Sequence, residues 1–389
     1  MGRPLESPDL VLGVVGGGQL GRMLAEAAGP LGVDVVVLDP TPEAPASAVA
    51  RDQIVGGFGE PGALRELAAR ADVLTYEIEL ADPELLHEVA ADTGVPVEPA
   101  PETLAITADK LREKRVLDRA GIPVADFRPV DAADERRAGL EELGTPAMLK
   151  AREGGYDGRG NVLVGAADEA EDALRAVGGP AVLEAHVDFE RELSVIAVQG
   201  ADGRRYFPVG ENVHEEEILR ATVVPARTTP SVRRAARRVA ADVLDVLEGR
   251  GTIAVEMFEV DGGVLVNEIA PRPHNSGHWS IEGARTSQFA QHVRAVAGRP
   301  TGATDRLGPT AMVNVLGQVG DEAPAVLEGV DDVLTAPDAT LHWYGKREVR
   351  PLRKMGHVTV LGDPDEDVDD VLGRALEYRS RLRFAAPGG

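Results

Sequence analysis

Thr252-Ile-Ala-Val-Glu256-Met-Phe-Glu-Val-Asp261-Gly-Gly263-Val-Leu-Val-Asn267-Glu268-Ile269 reads as two β-strands turned back on each other around Asp261–Gly263. A three-residue loop pairs Val260 with Val264, and counting back four residues sets Glu256 opposite Glu268 on one sheet face. Two carboxylates directly across a strand pair repel, so this register requires one of them protonated or a cation between them. Mg²⁺ held by one or two carboxylates and by nucleotide phosphates is the usual solution. The neighbours assigned to that face, Ala254, Phe258, Val264 and Val266, are apolar, which favours a lined metal site over a solvated hairpin.

Three further segments add chemistry to this pair. Upstream, Lys150-Ala-Arg-Glu-Gly154-Gly155-Tyr156-Asp157-Gly158-Arg159-Gly160 places four glycines between two predicted strands, a loop able to close backbone N–H groups over phosphates. Lys150, at a strand end, reaches phosphates as a point charge, and no G-x-x-x-x-G-K-[ST] loop occurs in the chain. Directly downstream of the hairpin, Pro271-Arg-Pro-His-Asn-Ser-Gly-His-Trp279 offers the planar fork of Arg272 and the titratable ring of His274 on a proline-stiffened backbone. Near the C-terminus, His342–His357 carries Lys346, Arg347, Arg350, Arg353 and Lys354 against Glu348 alone, an anion-attracting strip in an acidic chain.

The N-terminal segment carries Gly16-Gly-Gly18-Gln19-Leu-Gly21 between a predicted strand, Leu10–Val15, and a predicted helix, Gln19–Ala28. Asp39 follows at the end of the next strand, so the G-x-G-x-x-G dinucleotide pattern is satisfied. The glycines themselves argue for a phosphate at a helix N-terminus, whatever molecule carries it, and tight strand–helix packing alone explains them too. Three readings stay open here: a dinucleotide, another phosphate ligand, or packing.

The alternation of apolar runs and helical patterns over residues 1–105 predicts an α/β domain on a parallel sheet, with strands at Val33–Leu38 and Val73–Tyr76, a helix near 63–69, and Pro96, Pro99 and Pro101 marking the exit. A helix over 108–120, ended by Gly121 and Pro123, opens an α+β domain spanning 106–300. Its strands are expected at 147–151, 161–164, 181–185 and 192–199, with a lid subdomain at about 125–186; Val232, Ala236, Val239, Val243 and Val246 share one helix face. Residues 301–389 read as a small third domain.

Composition narrows the classes of function. With 41 Lys and Arg against 65 Asp and Glu, the net charge is −24, a field that repels a nucleic-acid backbone. The absence of cysteine excludes a disulfide framework, a thiolate zinc site and a Cys nucleophile. No signal-like N-terminus and no run of 18 apolar residues occur, so a soluble, cytoplasmic protein without membrane contact is expected. Only five of the basic residues are lysines, which fits a surface adapted to high salt or simply an Arg- and Ala-rich composition.

On Gly16–Met23, Lys150–Gly160, Asn267–Trp279 and Trp343–His357, the chain resembles the 5-(carboxyamino)imidazole ribonucleotide synthases, ATP-grasp ligases of purine biosynthesis, over nearly its whole length. The resemblance implies an ATP-grasp fold with a Rossmann-like pre-ATP-grasp domain and a small C-terminal domain, a homodimer, and ATP with Mg²⁺. It implies conversion of aminoimidazole ribonucleotide, ATP and bicarbonate to the N-carboxylated product through carboxyphosphate. Alternatives are another ATP-grasp carboxylate–amine ligase or an NAD-dependent oxidoreductase built on the first glycine turn. By the same resemblance ATP contacts Lys110, Lys150, the flap residues Gly154, Gly155, Tyr156, Asp157, Gly158, Arg159 and Gly160, the hinge Glu184, Ala185, His186 and Val187, then Glu192, His214, Asn267 and Glu268. Glu256 and Glu268 look like the Mg²⁺ ligands. Gly18, Gln19, Glu77, Tyr156, Asp157, Lys346 and Arg353 border the ribonucleotide, and Arg159, Arg272, His274 and Lys346 look like the catalytic groups around bicarbonate. Lys110 stands where some members carry Arg, and Ala185-His186 is unusual hinge content.

Overall fold

The computed structural model describes residues 9–130, 133–154, 160–166 and 169–384. The N-terminal strands form a parallel sheet in the order Asp52–Val55, Asp34–Asp39, Val11–Val15, Val73–Tyr76. Helix Gln19–Ala28 buries Leu20, Met23 and Leu24 on one face, while Pro61–Arg70 and Pro83–Thr93 bury Leu64, Leu67, Leu86 and Val89 on the other. Cover on both sides is why the two central strands read as unbroken apolar runs. Strand Asp52–Val55 escapes the sequence reading because it is an edge strand whose one fully buried side chain is Ile54. Pro101, read as chain-exit punctuation, instead opens helix Pro101–Thr107, where a missing N–H costs nothing; Pro83 does the same for its helix.

Gly16 sits at φ +110°, and a Cβ there would lie 2.5 Å from Glu77 Cγ. Gly16→Ala is therefore expected to destabilise the protein by about 2 kcal/mol or more, read as a lowered urea midpoint at unchanged m-value.

Among the described residues the second sheet has nine strands. Its main path runs Gly263–Ala270, Gly251–Val260, Arg191–Gly200, Gly210–Glu215, Ile218–Val224, Thr310–Leu316, Lys354–Leu361, Ala339–Trp343. The last three come from the segment read as a third domain. They do not form a sheet of their own, because Thr310–Leu316 pairs antiparallel with Ile218–Val224 and extends the central sheet. Helix Pro230–Val246 packs Val232, Ala236, Val239, Ala240 and Val243 against Leu193, Val195, Val255, Met257, Val264 and Val266 on one face of that sheet.

The hairpin register holds by two compensating departures. Val260 pairs with Gly263 rather than Val264, around a two-residue turn with Asp261 at φ +46° and Gly262 at φ +73°. A bulge between Glu256 and Met257 then gives the opposite strand one extra residue, Asn267, and Glu256 again faces Glu268. Between turn and bulge the one-residue shift changes the neighbours. Val264 and Val266 belong to the core beneath helix Pro230–Val246, and Leu265, paired with Phe258, takes their place on the carboxylate face.

Four antiparallel strands, in the order Phe127–Val130, Ala181–Ala185, Ala147–Ala151, Asn161–Val164, make the lid sheet, with helices Ala133–Leu143 and Ala170–Val177 beside it. Its small core includes Val130, Leu149, Val164 and Leu183.

Candidate active site

The site lies where the lid sheet meets the carboxylate hairpin. Lys150, on the third lid strand, is 3.0 Å from Glu184 Oε2 and donates to Asn267 Oδ1 at 3.0 Å. The flap base is thus joined to the bulge residue of the hairpin. Lys110 Nζ donates to Glu268 Oε2 at 2.5 Å and holds that carboxyl well below the usual carboxylate range, with burial opposing. Glu256 accepts from Asn212 Nδ2 at 3.2 Å and lies 3.4 Å from His274 Nδ1. Burial first and the facing Glu268 second push Glu256 up to about 7. This is the electrostatic signature anticipated for two carboxylates sharing one face: one ionised on a lysine, one held toward its neutral form.

Other predicted residues gather around them. His214 Nδ1 is 3.1 Å from Glu192 Oε1; burial lowers the pKa of His214, but Glu192 outweighs it and the net shift is upward. In the hinge, Glu184 is buried and bound to Lys150, with Lys114 3.4 Å away, so its side chain serves the protein interior. His186 is exposed and Val187 half-buried, and the Ala185 amide donates to Asp126 O at 2.8 Å. Gly154 is described at φ +73°; Gly155, Tyr156, Asp157, Gly158 and Arg159 lie outside the described residues, and Gly160 resumes at φ +87°.

The glycine turn has its own occupants. Gly18 N donates to Glu77 Oε1 at 2.7 Å, and Gly17 N to Asp39 Oδ2 at 2.9 Å. Asp39 also accepts from Thr41 N at 2.8 Å. The acid a dinucleotide would need for its ribose is thus engaged with backbone amides, and the Glu77 carboxyl group already occupies the helix N-terminus beside Gln19. Of the three readings left open by the pattern, the dinucleotide one is the one this geometry removes.

Glu77 itself is pushed up to about 7, by burial first, with the Gly18 amide, Arg272 and Lys346 pulling down and Asp39 pushing up. In the unfolded chain its carboxyl titrates near 4.3. The folded state therefore keeps a proton the unfolded state has lost, and stability falls as pH rises from about 4.3 through 7. Glu77→Gln, neutral at every pH and still able to accept from Gly18, is expected to melt progressively higher relative to wild type between pH 5 and 8. A melting-temperature difference that stays flat across that range would remove the buried-acid reading.

Arg272 is held by Glu79 at 2.6 Å, and His274 Nδ1 is 2.8 Å from Ser276 Oγ. In the C-terminal basic strip, Arg347 pairs with Glu43 at 2.5 Å and Arg350 with Glu322 at 2.5 Å. Lys346 donates to Lys354 O at 2.6 Å and Arg353 to Glu348 O at 2.8 Å.

Sequence reasoning missed Glu79, Asn212 and the Phe189–Phe258 stack, whose rings are 4.6 Å apart. Asn212 was within reach, two residues from His214 on the same strand face. The other two depend on contacts across the fold.

The geometry agrees with the comparisons to known proteins. Residues 115–289 match the ATP-grasp domain model, residues 10–108 the ribonucleotide synthetase preATP-grasp domain, and residues 310–371 the phosphoribosylaminoimidazole carboxylase C-terminal domain. The chain is 40% identical over 370 residues to the N5-carboxyaminoimidazole ribonucleotide synthase of Bacillus subtilis strain 168, covering 94% of this chain and 95% of that one. It is 43% identical to the enzyme of the same name from Brucella melitensis, over 90% of this chain and 96% of that one. The crystal structure of N5-carboxyaminoimidazole ribonucleotide synthetase from Thermotoga maritima superposes with a TM-score of 0.87 at 38% identity, covering 97% of this chain and 100% of that one. That of the Aspergillus clavatus synthase, in complex with ADP and 5-aminoimidazole ribonucleotide, gives 0.88 at 34%, covering 96% and 99%. With all three domain models matched in order and relatives aligned end to end, the chain belongs to the N5-carboxyaminoimidazole ribonucleotide synthases, within the ATP-grasp ligases.

Proposed function

We infer that the protein is an ATP-dependent ligase that carboxylates the exocyclic amine of 5-aminoimidazole ribonucleotide, forming ADP, phosphate and the N5-carboxylated ribonucleotide. The observation that carries this is the convergence of Glu256, Glu268, Lys110 and Lys150 at the lid, with Arg272 and His274 following on the same chain segment.

Lys150 binds the α- and β-phosphates and neutralises their charge, with the flap closing over them. Glu192, His214 and the hinge 184–187 receive the nucleoside. Bicarbonate attacks the γ-phosphorus and ADP leaves, giving carboxyphosphate, which breaks down to CO₂ and phosphate. The amine nitrogen then bonds to the CO₂ carbon and sheds its proton, and the bicarbonate groups are Arg272, His274, Lys346 and Arg159. Arg272, oriented by Glu79, presents a fixed fork to the carboxylate or phosphate, and His274 moves a proton near neutral pH. The ribonucleotide is held by Lys346, Arg353, Tyr156 and Asp157, with Glu77, Gly18 and Gln19 along its border. Exclusion of water by the flap protects the short-lived intermediate.

A buried carboxylate, Glu256, facing the half-buried Glu268 fits a divalent cation, although no group of three or more His, Asp or Glu suited to a metal occurs among the described residues. Mg²⁺ is suited to such a pair because phosphate oxygens complete its shell. Glu256 and Glu268 would hold it, and when bound it supplies charge neutralisation on the transferring phosphoryl group. A homodimer working in the cytoplasm completes the proposal; among the described residues no helix is long and apolar enough to cross a membrane.

Phosphate release from ATP, Mg²⁺ and bicarbonate, with and without aminoimidazole ribonucleotide, at low and high KCl, tests this reading. The expected result is release stimulated by the ribonucleotide with an acid-labile carboxylated product. A folded sample that binds ATP but ignores the ribonucleotide in both salts would instead be an ATP-grasp ligase for a different amine.

A further inference from the structure

Among the described residues the carboxylate strand Gly263–Ala270 is the edge strand of its sheet, and on its outer side the backbone partner is an isolated bridge, with the Val266 amide donating to Pro123 O at 2.8 Å. Helix Lys110–Arg119 lies along the rest of that edge. Residues 110, 113 and 114 share a helix face by their spacing of three and four, and each meets a different group on the edge. Lys110 takes the Glu268 side chain. Glu113 Oε2 accepts from the Ile269 amide at 3.1 Å. Lys114 Nζ donates to Asn267 O at 3.0 Å and Val266 O at 3.2 Å, and stands 3.4 Å from Glu184 Oε2.

The Lys114 contacts fall on the bulge that restores Glu256 to a place opposite Glu268. A bulge interrupts the ladder, and here the two carbonyls flanking the interruption are met by one ammonium with 0% exposure. The same ammonium leans on Glu184, the acid that Lys150 also binds. Helix, bulged strand and lid hinge therefore meet at a single nitrogen whose hydrogen bonds and ion pair among the described residues go to Val266, Asn267 and Glu184, on the nucleotide side of the site.

We propose that Lys114, with Glu113 beside it, is a positioning residue for the nucleotide site: it holds the Asn267 bulge and Glu184 in the register that aims Asn267, Glu268 and Lys150 at ATP. This rests on the ATP-ligase reading above. Its consequence is selective, because losing the clamp loosens the nucleotide side of the site and leaves the ribonucleotide side as it was.

The test is Lys114→Met, which keeps the length and removes the donors and charge. ATP binding with Mg²⁺ is measured by titration calorimetry without bicarbonate, alongside the KM values for ATP and ribonucleotide and the melting temperature. Expected are an ATP Kd and KM raised about tenfold or more, with the ribonucleotide KM within about twofold of wild type. Glu113→Ala frees the Ile269 amide at the other end of the clamp and is expected to give the same selective pattern, about threefold. If Lys114→Met does not fold, this second variant decides alone. Unchanged ATP affinity in a folded variant, or both KM values rising together, overturns the proposal. A wild-type protein that binds no ATP overturns the ligase reading beneath it instead.

Discussion

Glu268→Ala is expected to lower ATP turnover about a thousandfold or more, while the protein still folds. The carboxylate is one of two that face each other across the hairpin, and Lys110 keeps it ionised. Phosphoryl transfer relies on positioned charge, so deleting a proposed cation ligand removes stabilisation of about 4 kcal/mol from the transition state. Two effects on stability oppose one another. Lys110, 16% exposed at its side chain, loses its partner, whereas Glu256 loses the repulsion that comes second to burial in raising its pKa. Phosphate release in the presence of Mg²⁺ and bicarbonate is the measurement, and near-normal release would end the assignment of Glu268 as a metal and nucleotide ligand.

Lys346→Ala is expected to cut kcat/KM for the ribonucleotide about a hundredfold and to leave ATP affinity near its wild-type value. Lys346 lies in the turn after strand Ala339–Trp343, with its ammonium 5.7 Å above the Tyr344 ring and bonded to Lys354 O. It is close enough to Glu77 to lower that acid's pKa, which ties the C-terminal strip electrostatically to the glycine turn. Removing one member of a desolvated ion pair costs on the order of 2–5 kcal/mol, so the loss expected from the proposed contact with the ribonucleotide is large and selective. An equal loss of ATP binding would move Lys346 from the ribonucleotide side to the nucleotide side.

Much of the fold can be read directly from the chain. Helix Gln19–Ala28 and strands Val73–Tyr76, Ala147–Ala151, Asn161–Val164 and Ala181–Ala185 stand at the bounds their periodicity indicates. Each is long enough to show its period and ends at a clear stop. The hairpin Gly210–Glu215 and Ile218–Val224 was missed: its turn, Glu216-Glu217, has both residues at positive φ, at 54° and 60°, without a glycine to announce it.

The sequence by itself determined the pairing of Glu256 with Glu268, the basic groups that follow them and the strands Ala147–Ala151 and Asn161–Val164 on either side of the glycine-rich segment. These are matters of spacing within one hairpin or one loop, where residue type and period 2 fix which side chains share a face. Even there, the two-residue turn and the bulge cancelled, and only the folded sheet shows how. The tertiary structure alone decided that Glu77 and Asp39 fill the glycine turn, that the C-terminal strands extend the central sheet, and that Lys114 meets the bulge from 153 residues away. Contacts across such separations follow from which faces pack together and which buried polar groups must find partners, and no local pattern encodes that choice.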